Sequence, residues 1–134
     1  MRILVTGAAG FIGANIASAL AKTGASVVGL DDFTVGNFEN LAGFAGDVVA
    51  ADAGRPEDWG RRVGRVEAVF HEAAITDTTV TDQMRMMRVN VEAFRDLLDW
   101  AGQSRVKTVV YASSAATSGT GPTPMREDAR PKPL

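Results

Sequence analysis

The sequence has no cysteine, one histidine (His71) and one tyrosine (Tyr111) in 134 residues. Without cysteine there is no disulfide framework and no thiolate metal site, and a lone histidine cannot build a multi-histidine centre, so no metal is expected. No apolar run approaches the roughly 20 residues that span a bilayer. Fourteen Lys and Arg stand against sixteen Asp and Glu, a net charge of −2, and none of the basic residues form a block. A phosphate-neutralising face is missing, which argues against a nucleic-acid partner. The opening Met1-Arg2-Ile3-Leu4-Val5-Thr6-Gly7 is too short in its apolar stretch for a secretory signal and runs straight into a glycine turn. A cytoplasmic enzyme or binding domain is the expectation. What remains is ordinary for one globular domain: 46% hydrophobic and 22% charged residues.

Short apolar runs alternate with helical patterns along the chain. Ile3-Leu4-Val5 reads as a strand buried on both faces, and Ile12, Ile16 and Leu20 then recur at helical spacing, with Gly24 as the stop. Ser26–Leu30 reads as a second strand, and residues 33–46 as a loop with room for one helical turn. Val48–Ala51 forms a third strand, and Pro56-Glu57-Asp58 opens a short helix where proline and acids are favoured. Glu67–His71 is a fourth strand. Thr79-Val80-Thr81-Asp82 has the form of a helix start, and Met84, Met87, Val91, Phe94, Leu98 and Ala101 predict a core-facing stripe on the helix that follows. Val106–Tyr111 is a fifth strand. No hairpin signal interrupts the series, so the fold class is α/β, a doubly wound parallel sheet of the Rossmann type with five strands. Residues 1–118 form the domain. Residues 119–134 hold four of the five prolines and read as loop.

Between the first strand and first helix stands Thr6-Gly7-Ala8-Ala9-Gly10-Phe11-Ile12-Gly13. Gly7 suits a tight turn, Gly10 a close backbone approach to a pyrophosphate, and Gly13 close packing of the helix on the strand. The phosphates would rest on free N–H groups at the helix start. A glycine triplet alone is only a turn. Here Asp31 closes the second strand, where a carboxylate can accept the hydroxyls of an adenosine ribose and repel a 2′-phosphate. Asp32 beside it adds to that repulsion, or is a solvated turn residue. No Lys or Arg follows before Arg55, so the expected cofactor is NAD, with NADP second.

The spacing of T-G-x-x-G-F-I-G resembles the opening of the extended short-chain dehydrogenases/reductases, which include nucleotide-sugar epimerases and dehydratases. The likeness runs on through Asp52-Ala53, similar to the family's acid-plus-small pair at the adenine. His71-Glu72-Ala73-Ala74, followed by Ile75, is similar to its H-x-A-A element. Asn90-Val91-Glu92-Ala93 and Leu97-Leu98 match its mid-helix N-x-x-G-x-x-x-L-L, with Ala93 in place of glycine. Tyr111-Ala112-Ser113-Ser114 resembles the element ending its fifth strand. The resemblance implies that Gly7, Gly10, Phe11, Ile12, Gly13, Asp31, Asp32, Asp52, Ala53, Ala73, Ala74, Ile75, Asn90 and Ser113 meet the cofactor. It also implies that Ser114 hydrogen-bonds the reacting substrate oxygen, that a nucleotide-sugar is the substrate, and that the full-length protein is a homo-oligomer. Short strings, among them Phe70–Ala74, Thr78-Thr79 and Met86-Met87, are most similar to the ADP-glyceromanno-heptose 6-epimerase subgroup. His71 alone is more simply a satisfied core histidine.

The family's catalytic base is the tyrosine of a Tyr-x-x-x-Lys motif, whose lysine lowers the tyrosine pKa. Tyr111 is followed four residues on by Ala115, and Ser118 replaces the tyrosine usual before Gly119. The expectation is a piece of a longer enzyme, ending in the loop before the catalytic helix and substrate region, and inactive as it stands. A fifth strand with an open apolar edge points the same way. The alternative is a dinucleotide-binding module without chemistry, such as a redox sensor. A methyltransferase ranks third.

Overall fold

The structure, a computed structural model, describes residues 1–120 and 123–132. Five strands, β1 (Arg2–Thr6), β2 (Ser26–Asp31), β3 (Asp47–Ala50), β4 (Ala68–His71) and β5 (Thr108–Tyr111), form one sheet in the order β3-β2-β1-β4-β5. Every pairing is parallel, with Leu4 opposite both Val28 and Val69. The run Ile3-Leu4-Val5 is fully buried because helices cover both faces of its strand. Ile3 and Val5 point into one core with Ala14, Ala17 and Val27, and Leu4 into the other with Val28, Trp59, Val69 and Leu97. The doubly wound architecture expected from the sequence is therefore present.

α1 (Phe11–Lys22) covers the first face. Its apolar spacing comes from Ile12, Ile16 and Leu20, yet the residues buried on it are Gly13, Ala14 and Ala17. Small side chains let the helix axis lie close to the strands, so the larger residues flank the contact. The second face is covered by α2 (Pro56–Val63) and by a long helical stretch made of α3 (Gln83–Met87), a π-helical turn (Arg88–Glu92) and α4 (Ala93–Gln103). Trp59 of α2 is fully buried and meets Trp100 of α4 edge-on at 4.6 Å. Such a pair contributes about 0.5–1.5 kcal/mol beyond the area it buries.

Two expectations for this stretch are corrected. The helix does not start at Thr79. Asp77 takes the Thr79 hydroxyl and N–H, and Asp82 is the cap, accepting the Arg85 N–H at 3.0 Å. Nor does the apolar stripe face the core. Met84 is 84% exposed, Met87, Val91 and Leu98 are also exposed, and the buried residues of α4 are Ala93, Leu97 and Ala101. Of the stripe only Ala101 is buried, while Phe94 packs at the edge of the second core. The π turn takes more residues per turn than an α-helix, which breaks the 3.6-residue phase on which the stripe was read.

The loop after β2 contains one 3₁₀ turn, Phe38–Leu41. After β5 a second, Ala115–Thr117, is the last regular element among the described residues, and the tail returns to it through the Lys132 N–H, bonded to the Thr117 carbonyl at 3.1 Å. Pro122, Pro133 and Leu134, part of the loop expected over 119–134, lie outside the described residues.

Candidate functional site

A parallel sheet gathers the carboxyl ends of its strands at one edge. The sheet order reverses between β1 and β4, and in such sheets the crevice beyond the carboxyl ends at that switch point is where ligands bind. The glycine turn follows β1, Asp31 ends β2, Asp52-Ala53 follow β3, Ala73–Ile75 follow β4 and Ser113-Ser114 follow β5. All the residues expected to share a site therefore leave the sheet at the same edge, and Asn90 reaches it from the π turn.

Gly7 has φ +65, and a Cβ there would lie 2.7 Å from the Ala73 nitrogen and the Glu72 carbonyl carbon. The turn thus packs directly on the segment after β4, and no other residue fits. At Gly13 a Cβ would collide with the Gly7 carbonyl, which explains the close approach of α1. Gly10 differs from both. It caps α1 with extended backbone and no side-chain cap, and an added Cβ would meet only the Gly7 oxygen, at 3.2 Å. The space in front of Gly10 is open and the first amides of α1 have no side chain to satisfy them, a cradle suited to a phosphate. Phe11 and Ile12, the first residues of α1, are both exposed beside it.

Asp31 is buried, and its carboxylate accepts the Ala9 N–H at Oδ2 (2.9 Å) and the Phe33 N–H at Oδ1 (2.8 Å). A carboxylate offers about four acceptor positions, so two remain for a diol. Asp32 is exposed and holds the Thr34 N–H and hydroxyl at 2.9 and 2.7 Å, the bonding of a turn residue. Asp52 accepts the Gly54 N–H at 2.8 Å, and Ala53 packs at the edge of the second core. Asn90 grips the peptide groups of Ile75 at both ends, accepting its N–H at 2.8 Å and donating to its carbonyl at 2.9 Å. That grip sets the path of the chain past Ala73 and Ala74.

His71 is a satisfied core residue. Its Nδ1 shares a hydrogen bond of 2.8 Å with the Thr6 hydroxyl, which also accepts the Ala73 N–H at 3.3 Å, and its ring stacks on Phe94 at 4.8 Å. Burial lowers its pKa to about 4, keeping the ring neutral. The same cause raises the carboxyl of neighbouring Glu72. Ser114 caps the following 3₁₀ turn by accepting the Ala116 N–H at 3.2 Å, and both Ser113 and Ser114 are exposed. Among the described residues the Ser114 hydroxyl proton has no acceptor, so it can be offered to an oxygen outside the chain.

Residues 37–40 escaped the sequence reading. The Ala9 carbonyl accepts the Asn40 amide at 2.8 Å and the Asn37 N–H at 3.1 Å. Neither asparagine belongs to a periodic pattern or a motif, so nothing in the linear sequence marks them.

Comparison with known proteins agrees with this geometry. Residues 3–134 match the NAD dependent epimerase/dehydratase family. The structure is similar to that of the Helicobacter pylori ADP-L-glycero-D-manno-heptose-6-epimerase, with 38% identity and a TM-score of 0.87 over 98% of this chain and 45% of that one. A Thermus thermophilus UDP-glucose 4-epimerase solved in complex with NAD shares 34% identity and a TM-score of 0.88, over 99% of this chain and 45% of that one. For a Brucella ovis UDP-glucose 4-epimerase, also in complex with NAD, the identity is 31% and the TM-score 0.86, over 99% and 42%. The chain thus spans less than half the length of these relatives. With a match over nearly all its residues and the fold in common, it belongs to the NAD dependent epimerase/dehydratase family.

Proposed function

We propose that this chain is the cofactor-binding part of a nucleotide-sugar epimerase or dehydratase, with NAD preferred over NADP. The observation that carries the reading is the Gly10 cradle beside a buried Asp31 that keeps acceptor positions open. A pyrophosphate would rest on the α1 amides in front of Gly10. The ribose diol would be held by Asp31, with Asp52 and Ala53 at the adenine. Ala73, Ala74 and Ile75, gripped by Asn90, would form the wall past which the dinucleotide runs, and Ser113 would neighbour its nicotinamide. A bound nicotinamide would supply reversible hydride acceptance at a sugar carbon. Ser114 would donate its hydroxyl proton in a hydrogen bond to the oxygen carried by the sugar carbon being oxidised.

The NAD preference is supported by the acidic pair Asp31-Asp32 and the absence of any Lys or Arg between Lys22 and Arg55. Membership of the heptose-epimerase subgroup is supported by its short strings in this sequence and by the 38% identity to the Helicobacter enzyme. We also infer that the full-length protein is a homo-oligomer that buries the exposed stripe of α3 and α4. Exposed apolar side chains aligned along one helical stretch are what an interface between copies would cover.

Titration of the chain with NAD in a calorimeter tests the central claim. Wild type should bind, and Gly10→Val, whose branched side chain would fill the cradle, should lose binding while keeping its melting temperature. Equal affinity in the two proteins would reduce the glycine motif to a tight turn.

A further inference from the structure

We propose that Asn40 is a positioning residue for the dinucleotide site, acting through the Ala9 carbonyl on the direction of the α1 amides. The proposal rests on the cofactor reading above and concerns how the turn is kept in a binding shape.

The glycine turn has little order of its own. Gly7 and Gly10 flank Ala8-Ala9, and glycine backbones visit many conformations that other residues do not. The peptide group joining Ala9 to Gly10 is the sensitive one, because its plane sets the entry of α1. Its N–H end donates to the Gly7 carbonyl at 3.0 Å, and its carbonyl end accepts the Asn40 amide and the Asn37 N–H. Flipping this peptide would break all three bonds. It would also turn a carbonyl towards the place where an anion would sit, which is electrostatically the wrong sign.

Satisfying the buried carbonyl needs a single donor, and the Asn37 N–H provides it. A second donor at the shorter distance of 2.8 Å therefore fixes direction rather than merely fulfilling bonding. Asn40 is itself held firmly. It lies in the 3₁₀ turn, its N–H bonds the Asn37 carbonyl at 3.0 Å, and the Asn37 side chain caps that turn through the Glu39 N–H at 3.0 Å. The loop rests against the glycine turn with no slack, since a Cβ on Gly36 would lie 2.7 Å from that of Ala9. Phe33 and Phe38, stacked at 4.0 Å, brace its two ends. On the other side the Ala9 N–H is held by Asp31. Residue 9 is therefore gripped at both ends by the loop that begins with the ribose acid.

The test uses the whole chain as wild type, Asn40→Ala and Asn40→Leu, the last keeping the approximate shape but carrying neither donor nor charge. NAD and ADP probe the pyrophosphate cradle, and adenosine probes the remainder of the site. Both variants should bind NAD and ADP about three- to tenfold more weakly, the worth of one hydrogen bond, with adenosine affinity and melting temperature close to wild type. The Gly10 amide should also exchange with solvent faster in the variants. Wild-type affinity for ADP in Asn40→Leu would overturn the proposal while leaving the cofactor reading intact. So would an equal loss for adenosine, because that is what general loosening of the fold produces. If wild type itself binds none of the three ligands, the cofactor reading has failed, and this proposal falls with it.

Discussion

Asp31 joins two tasks in one side chain. Its carboxylate holds the Ala9 N–H and the Phe33 N–H, and in the proposed function its remaining acceptor positions meet the ribose. Asp31→Ala should weaken NAD binding by about 1.5–3 kcal/mol, the range for a hydrogen bond to a charged group. NADP should lose less, because the repulsion of a 2′-phosphate goes with the carboxylate. The substitution also orphans a buried amide, so a lower melting temperature should accompany it. Calorimetry with both cofactors checks this, and an unchanged NAD-to-NADP ratio would remove Asp31 from the ribose. His71 makes a separate, pH-dependent contribution. Its pKa lies near 4 in the folded chain and near 6.5 when free, because burial opposes the charged ring. Between those values the unfolded chain binds the extra proton, so the contribution is complete above about pH 6.5 and is lost as the pH falls towards 4. From pH 7.5 to 5 the loss should be about 2 kcal/mol, and His71→Asn, measured by denaturant melts at both pH values, should lose less. The raised Glu72 carboxyl acts in the opposite sense, and comparison with the variant cancels it. An identical pH dependence in the two proteins would show that His71 is not the group responsible.

At the scale of elements, the glycines of one turn carry separable loads. Gly13→Val places bulk against the Gly7 carbonyl and pushes α1 off the sheet. It should therefore lower the melting temperature as well as cofactor affinity, unlike Gly10→Val. A normal melt for Gly13→Val would mean that α1 does not need its close seat. The long helical stretch makes a different case. Met84, Met87 and Val91 stand exposed along it, and if the full-length protein covers them with a second copy, Val91→Glu should shift its sedimentation towards monomer. A full-length protein that is monomeric at micromolar concentration would dispose of the oligomer. The π turn also explains why this face was misread. Apolar spacing identifies a helix, but its phase relative to the core is lost wherever the turn widens, and the π turn contains Asn90, which holds Ile75 and in the proposed function shapes the site.

At the carboxyl edge of its sheet the whole molecule presents the open turn at Gly10 and a serine, and its one tyrosine lacks a lysine four residues on. Tyr111 is exposed at the end of β5 with its ring 5.0 Å from that of Phe94. Purified at 134 residues, the chain is expected to bind NAD without turning over a UDP- or ADP-sugar. Steady conversion of such a sugar, followed by chromatography of the products, would show that chemistry is complete within these residues.

Much of this was legible in the linear sequence, for definite reasons. Strands buried on both faces must be continuously apolar, so Ile3-Leu4-Val5 and its counterparts stood out, and their alternation with helices left a parallel sheet as the simple solution. The glycine turn was legible too, because only glycine tolerates the φ of Gly7 and the contact at Gly13. Other features needed the fold. The seat of α1 on Gly13, Ala14 and Ala17 rather than on its larger apolar residues depends on how near the helix comes to the strands. The capping of α3 by Asp82 rather than Thr79 goes with Asp77 taking the Thr79 hydroxyl for itself. The bonds from Asn40 to Ala9 and from His71 to Thr6 join residues 31 and 65 positions apart. Spacing along a chain encodes local geometry, whereas partners that distant are chosen only when the sheet brings the ends of its strands together.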